Sequence, residues 1–207
     1  MEKLLLSEIA HCLNAECPEE KVITEISTDT RNLPAGCLFI AIKGERFDGH
    51  AFIKQAIENG AAAAVSEYPV DGCPCIVVKN TRTALLKLAK YYRSKFNPVL
   101  VGITGSVGKT TTKEMIALVL SEKYKTLKTQ GNLNNEIGLP KTLFNLDSSY
   151  QAAVIEMGMS DFGEIERLSN TAVPTIGVIT NIGFSHIENL KSLSLIHISE
   201  PTRLLSI

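Results

Sequence analysis

Short apolar runs alternate along this chain with stretches whose apolar positions return every third or fourth residue, the pattern of strands separated by amphipathic helices. In the first half, residues 4–6, 21–26, 38–42, 62–65 and 76–78 read as strands, with helices over 7–14, 50–58 and 81–96. The Asn97-Pro98 pair then stops the long helix, because proline disfavours a helical residue before it. A domain boundary is expected there, with residues 1–96 forming one α/β unit. From residue 99 the alternation is cleaner: strands over 99–103, 125–128, 152–155 and 175–180, helices over 111–120, 136–144 and 162–168. Strands joined through helices imply right-handed crossovers and a parallel sheet, whose ligands sit beyond the carboxyl ends of the strands. The predicted fold class is α/β: a small N-terminal α/β domain followed by an incomplete parallel-sheet domain over 97–192.

Composition narrows the partner. The 207 residues carry a net charge of −1, from 21 basic and 22 acidic side chains, so nothing marks a nucleic-acid surface and a small molecule is the expected ligand. No apolar stretch approaches the roughly 18 residues of a membrane span, and no secretion signal is visible, which places the chain in the cytoplasm as an expectation. The five cysteines, Cys12, Cys17, Cys37, Cys73 and Cys75, include no CxxC pair and read as reduced structural thiols.

The strongest chemical signal is TGSVGKT, residues 104–110, lying between a predicted strand and a predicted helix. Glycines let backbone N–H groups close around phosphate oxygens, the helix presents its positive end, Lys109 supplies a mobile cation and the Thr110 hydroxyl can bind Mg²⁺. The general phosphate-loop pattern places a glycine at 103, where this chain has Ile103, so the match begins at Thr104. The loop and its flanks, Thr104, Gly105, Ser106, Val107, Gly108, Lys109, Thr110 and Thr111, are the candidate ATP-binding residues.

Metal–nucleotide chemistry needs an acid besides the loop hydroxyl, since Mg²⁺ takes about six hard oxygen ligands. Glu156 closes the apolar run AAVI and would point at the loop from a neighbouring strand end, although a strand-terminal glutamate is also often simply solvated. His186, in a loop after the fourth strand, is a weaker candidate that reads equally as an ordinary polar residue. Between them lies GNLNNEIGLP, residues 131–140, whose asparagine amides can bond phosphate, adenine or a carboxylate, or can cap the following helix.

The tail departs from all of this. LSLIHISEPTR, residues 193–203, is identical to one reading frame of a common transposon sequencing adaptor and continues no periodicity. Residues 193–207 are therefore expected to be an assembly artefact outside the fold.

Taken in order, TGSVGKTTTKEM, GNLNNEIGLP, VIEMGMSDFGEI and TNIGFSHIENL resemble the central ATPase domain of the Mur ligases, and STDTRNLPAGCLFIAIKGERFDGHAF is similar to that family's nucleotide-sugar-binding domain. The EMGMSDFGEI context resembles the member that acts on the tripeptide precursor; the sister that adds the third amino acid reads closer to EVSSH. The resemblance implies an ADP-forming acid–amino-acid ligase of peptidoglycan synthesis, a monomer in its full-length form. Its expected partners are UDP-MurNAc-tripeptide and D-Ala-D-Ala, with ATP and Mg²⁺ as cofactors. By the same likeness Lys109, Glu156 and His186 are catalytic, Thr110, Glu156 and His186 bind metal, and Asn135 joins the ATP site. Thr28, Asp29, Thr30, Arg31, Lys43, Gly44, Asp48, Gly49 and His50 match the UDP-sugar region; from the residues alone, Asp48 can cap the helix that starts near His50.

The family continues well past this chain's last motif, with a carbamylated lysine, further central strands and a C-terminal dinucleotide-fold domain, so an open sheet edge, poor solubility and little ligation are expected of these residues by themselves. Two other readings stay open: a relative acting on folate or another poly-acid, and a non-catalytic module that holds a UDP-sugar through residues 1–96.

Overall fold

Parallel pairing organises both halves of the chain. The computed structural model describes residues 1–44 and 47–183 and divides into two units, Met1–Tyr91 and the residues from Tyr92 onward. The predicted artefact tail and His186 lie outside the described residues.

The first unit opens with β1 (Leu4–Leu5), α1 (Leu6–Leu13) and β2 (Val22–Ile23), β1 and β2 pairing antiparallel. A four-stranded parallel sheet follows, built from β3 (Ile26–Ser27), β4 (Leu38–Ile40), β5 (Ala63–Ser66) and β6 (Cys75–Val77) in that spatial order. The run over 21–26, expected as one strand, is thus shared between two sheets. Between β4 and β5 lie a 3₁₀ turn (Gly49–Phe52) and α2 (Ile53–Glu58). Cys37, Phe39, Ala41, Ile53, Ala56, Ala61 and Ala64 form the buried cluster that fixes α2 to the sheet. Apart from Phe39 and Ile53 these side chains are small, which lets helix and sheet approach closely, and burying an aromatic such as Phe39 is worth about 1.5–3 kcal/mol.

α3 (Thr81–Ser94) carries the chain across the division, which falls inside the helix and a few residues ahead of the expected Asn97-Pro98 boundary. The reason is local to its last turn. In the second unit the Tyr92 hydroxyl donates to Leu146 O at 2.7 Å, the Tyr92 ring meets Phe96 and Phe144 edge-on, and Arg93 Nε donates to Ala172 O at 2.8 Å.

The second unit runs β7 (Val99–Thr104), α4 (Lys109–Ser121), β8 (Thr126–Lys128), α5 (Gly138–Leu143), β9 (Ala152–Glu156), α6 (Glu164–Ala172) and β10 (Ile176–Ile179). All four strands are parallel, in the spatial order β10-β7-β9-β8. β9 is buried along its whole length, as expected for an interior parallel strand, and its run AAVI carries no polar side chain. Val101 and Ile103 of β7, Val154 of β9 and Ala117 of α4 make one buried cluster, which seats α4 on the sheet. The register pairs Ile103 with Glu156 and Thr104 with Ile179, so three strand ends lie level. Met115, Leu118 and Val119 of α4 remain exposed, each by more than 60%.

Thiol chemistry reports on the first unit's core. Burial first, and the Glu25 charge second, push the Cys37 thiol up to about 11, and burial also raises Cys12 and Cys75. The nucleophile in alkylation is the thiolate, so Cys37 is expected to react with iodoacetamide at pH 8 orders of magnitude more slowly than the exposed Cys17 until denaturant is added. Mass-spectrometric labelling checks this, and equal rates for the two would contradict the packing described.

Candidate functional site

Strand β7 ends at Thr104 and the chain turns at once through Gly105, whose φ is +129°. A Cβ at Gly105 would lie 2.2 Å from Thr180 Oγ1 and 2.9 Å from Asn181 O, so only glycine fits between the loop and the segment after β10. That segment clamps the loop. Ser106 N donates to Asn181 O at 3.0 Å, Val107 N to Asn181 Oδ1 at 2.9 Å, and Thr180 Oγ1 donates to Val107 O at 2.6 Å. Gly108, also at positive φ, is the N-cap of α4 and offers no side chain to cap it. The first turn of this thirteen-residue helix thus has no side-chain cap from its N-cap residue, which suits an anion site at a helix N-terminus. Lys109 folds back over the loop, its Nζ donating to Gly105 O at 2.5 Å.

Thr110 and Glu156 come together as the spacing predicts. The Thr110 hydroxyl donates to Glu156 Oε2 at 3.1 Å, from the first turn of α4 to the last residue of β9. Glu156 is 2% exposed. Its other oxygen, Oε1, accepts from Asn134 Nδ2 at 2.9 Å, and its backbone N–H donates to Thr129 Oγ1 at 2.9 Å. An octahedral divalent ion with oxygens at about 2.1 Å holds adjacent ligands about 3.0 Å apart, which is the spacing of the Thr110 and Glu156 oxygens. Among the described residues no group of three or more His, Cys, Asp and Glu side chains converges. An ion held by this pair would therefore complete its shell largely from ligand oxygens and water.

Two residues of the asparagine-rich loop make internal contacts of the kinds its sequence allowed. Asn134 bonds a carboxylate, that of Glu156. Asn135, expected in the ATP site, turns its Oδ1 to the N–H groups of Ile137 and Gly138, at 3.1 and 2.8 Å, and caps α5. Thr111 is exposed on the first turn of α4. Lys113 and Thr129 escaped the sequence reading. The signal for Lys113 was a lysine three residues after Thr110 on a helix, hence on the same face.

The N-terminal candidates gather at the carboxyl ends of the adjacent parallel strands β3 and β4. Thr28, Asp29, Thr30 and Arg31 follow β3, where Asp29 accepts from the Arg31 backbone at 3.0 Å and from its Nε at 2.9 Å. Lys43 bridges to Asp48 beyond β4, and Gly44 N donates to Phe47 O. A Cβ at Gly49 would stand 2.8 Å from both Ile42 N and Ile42 O. Asp48 caps the 3₁₀ turn as expected, accepting from His50 N at 3.0 Å and from His50 Nδ1 at 2.6 Å. These two bonds, backbone first, hold the Asp48 carboxyl below the usual carboxylate range. His50 is 6% exposed, stacks on Tyr68, and accepts Glu67 N–H on Nε2 at 3.1 Å. Both ring nitrogens are engaged, which assigns the Nδ1–H tautomer and makes His50 the tie between the loop and the end of β5.

Two family models match this chain: Mur ligase middle domain over residues 103–198, and Mur ligase family, catalytic domain, over residues 22–93. The chain belongs to the Mur ligase family.

This Mur ligase chain is 49% identical over 178 residues to the UDP-N-acetylmuramoyl-tripeptide–D-alanyl-D-alanine ligase of Bacillus subtilis (strain 168), an alignment spanning 84% of the chain and 39% of that protein. It is 42% identical over 196 residues to the ligase of that name from Escherichia coli (strain K12), spanning 94% and 43%. Among solved structures, a crystal structure of MurF from Acinetobacter baumannii superposes with a TM-score of 0.91 at 36% identity, covering 96% of this chain and 45% of that one. MurF ligase from Thermotoga maritima in complex with ADP gives a TM-score of 0.80 at 36% identity, covering 85% and 42%. The Mur ligase chain described here thus spans about two fifths of the length of its curated relatives.

Gly105→Ala tests the loop geometry. The left-handed backbone alone costs about 1–3 kcal/mol for a non-glycine residue, and the clash with Thr180 and Asn181 adds to it. Urea unfolding of the variant is expected to show a loss of at least about 2 kcal/mol in the second unit; an unchanged midpoint would refute the clamp.

Proposed function

We propose that this chain is the substrate-binding and ATP-binding portion of a ligase that joins D-Ala-D-Ala to UDP-MurNAc-tripeptide. In this reading the tripeptide's terminal carboxylate oxygen attacks the γ-phosphorus of ATP and ADP leaves, giving an acyl phosphate. The amine of D-Ala-D-Ala then attacks the acyl carbon, loses a proton, and displaces inorganic phosphate. The observation that carries the reading is the contact between Thr110 and Glu156 at the mouth of an uncapped, glycine-turned helix. It is supported by the 36% identity to a MurF ligase whose structure is in complex with ADP.

Mg²⁺, when bound, supplies charge neutralisation for the transferring phosphoryl group. Thr110 and Glu156 hold it. Lys109 leaves the loop carbonyls and moves its charge onto the phosphates, while the Gly108, Lys109 and Thr110 amides take phosphate oxygens. Phosphoryl transfer asks the protein mainly for positioning and charge, and these groups provide both. His186, by family likeness a second metal ligand, lies outside the described residues.

In the first unit, Arg31 and Lys43 supply cations to the diphosphate of the UDP-sugar, and Thr28 and Thr30 supply hydroxyls beside them. Asp48 and His50 act one step back: they bond each other and hold the start of the 3₁₀ turn.

Titration calorimetry with Mg²⁺·ADP tests the nucleotide half: Lys109→Ala is expected to weaken binding about ten- to a hundredfold, the worth of a charge-assisted bond. Unchanged affinity would remove the loop from the account. UDP-MurNAc-tripeptide tests the other half, since a ligand of the native state must raise the melting temperature. Arg31→Ala is expected to abolish that shift. No shift in the unsubstituted chain would turn the assignment toward a relative acting on another acid.

A further inference from the structure

One buried cation in the second unit lies outside the glycine-rich loop. Lys113 is 1% exposed. Its Nζ stands 3.6 Å from Glu156 Oε2, 3.3 Å from Glu114 Oε1 and 3.5 Å from Gly131 O. It lies one helical turn beyond Lys109, on the stripe of α4 that carries Thr110 above it and the core residue Ala117 below. Glu114, half exposed, also pairs with Lys128 at 2.5 Å, so it has its own exposed cation. Glu156, 3% exposed at its side chain, has Lys113 as its ion-pair partner among the described residues.

The same oxygen, Oε2, faces both the Thr110 hydroxyl and the Lys113 ammonium. Burying a carboxylate to this degree without a counter-charge costs several kcal/mol. Lys113 removes that penalty, and in doing so it brings the charge of the pair to zero. A bare divalent ion approaching Thr110 and Glu156 therefore meets one carboxylate already matched by one ammonium and gains little. The negative charge that makes the seat attractive has to arrive with a polyphosphate.

We propose that Lys113 is a positioning residue that pairs with the buried Glu156 and holds it aimed at Thr110, and that it makes Mg²⁺ binding at this pair conditional on nucleotide. The proposal rests on the reading of Thr110 and Glu156 as metal ligands.

The test measures binding of Mn²⁺, standing in for Mg²⁺, by electron paramagnetic resonance, and of ADP with and without metal by calorimetry, on the 207-residue chain. In Lys113→Met, removing a unit charge a few ångströms from the seat is expected to tighten bare Mn²⁺ binding at least about tenfold. By linkage, the factor by which metal improves ADP affinity should shrink correspondingly. Lys113→Arg keeps the charge and should stay near the unsubstituted chain in both. Bare-metal affinity within about twofold of the unsubstituted chain in Lys113→Met would overturn the proposal.

If Lys113→Met unfolds, urea denaturation of the double variant Lys113→Met/Glu156→Gln decides. Replacing both charges should recover stability lost in the single variant, and a double variant no more stable than Lys113→Met would overturn the pairing. Glu156→Gln alone separates the two levels. If it leaves Mg²⁺·ADP affinity intact, the ligand assignment itself has failed, and Lys113's role falls with it.

Discussion

A carboxylate at the end of a fully buried strand has to be compensated, and the second unit is arranged around doing so for Glu156. A hydroxyl from α4, an amide from the asparagine-rich loop, a threonine beyond β8 and an ammonium one turn into α4 converge on this residue. Two of these come from α4 and two from the segment after β8, so the contacts tie strand, loop and helix together while leaving one carboxylate oxygen beside Thr110. The balance is close: an ion pair of this kind contributes little net stability but is costly to break on one side. A group held this way is poised to exchange partners when a stronger cation arrives with its own counter-charge.

Sheet topology supplies the rest of the placement. In the order β10-β7-β9-β8 the chain leaves β7 toward one side and returns to its other side with β10, so the carboxyl ends of β7, β9 and β10 surround one crevice. The glycine turn enters that crevice between Glu156 and the Thr180–Asn181 segment, held on one flank by Asn181 and open on the other at the helix N-terminus. The first unit has no such reversal, its four parallel strands following in sequence order. The loops after β3 and β4 lie side by side because their strands are parallel neighbours, and His50 fixes the second of them to the end of β5.

Much of this was legible in the residues. Solid apolar runs such as VLVGI and AAVI name interior parallel strands, and a strand followed by TGSVGKT and an amphipathic stretch places the loop before any coordinates exist. Glu156 could be read because its strand ends on it and the crossover rule puts that end beside the loop. The contacts hidden from the sequence are those set by register and side-chain reach. Nothing local distinguishes Asn134, which bonds Glu156, from Asn135, which caps α5; one residue of offset in the loop decides it. Lys113 reads as one more helical lysine until the burial of its face is known. The bonds of His50 to Asp48 and to the Glu67 backbone are also invisible in the residues. The division of residues 21–26 between two sheets likewise follows from pairing partners that no window of sequence contains.

Membership of the Mur ligase family and the pairing of Thr110 with Glu156 lead to one claim: a nucleotide's metal is gripped jointly by those two side chains. The most direct measurement is an anomalous-difference map from crystals of the chain grown with Mn²⁺ and ADP. The account predicts a single strong peak within coordination distance of both Thr110 Oγ1 and Glu156 Oε2, in contact with the β-phosphate. A peak that touches the phosphates while the Thr110 hydroxyl still donates to Glu156 would contradict it.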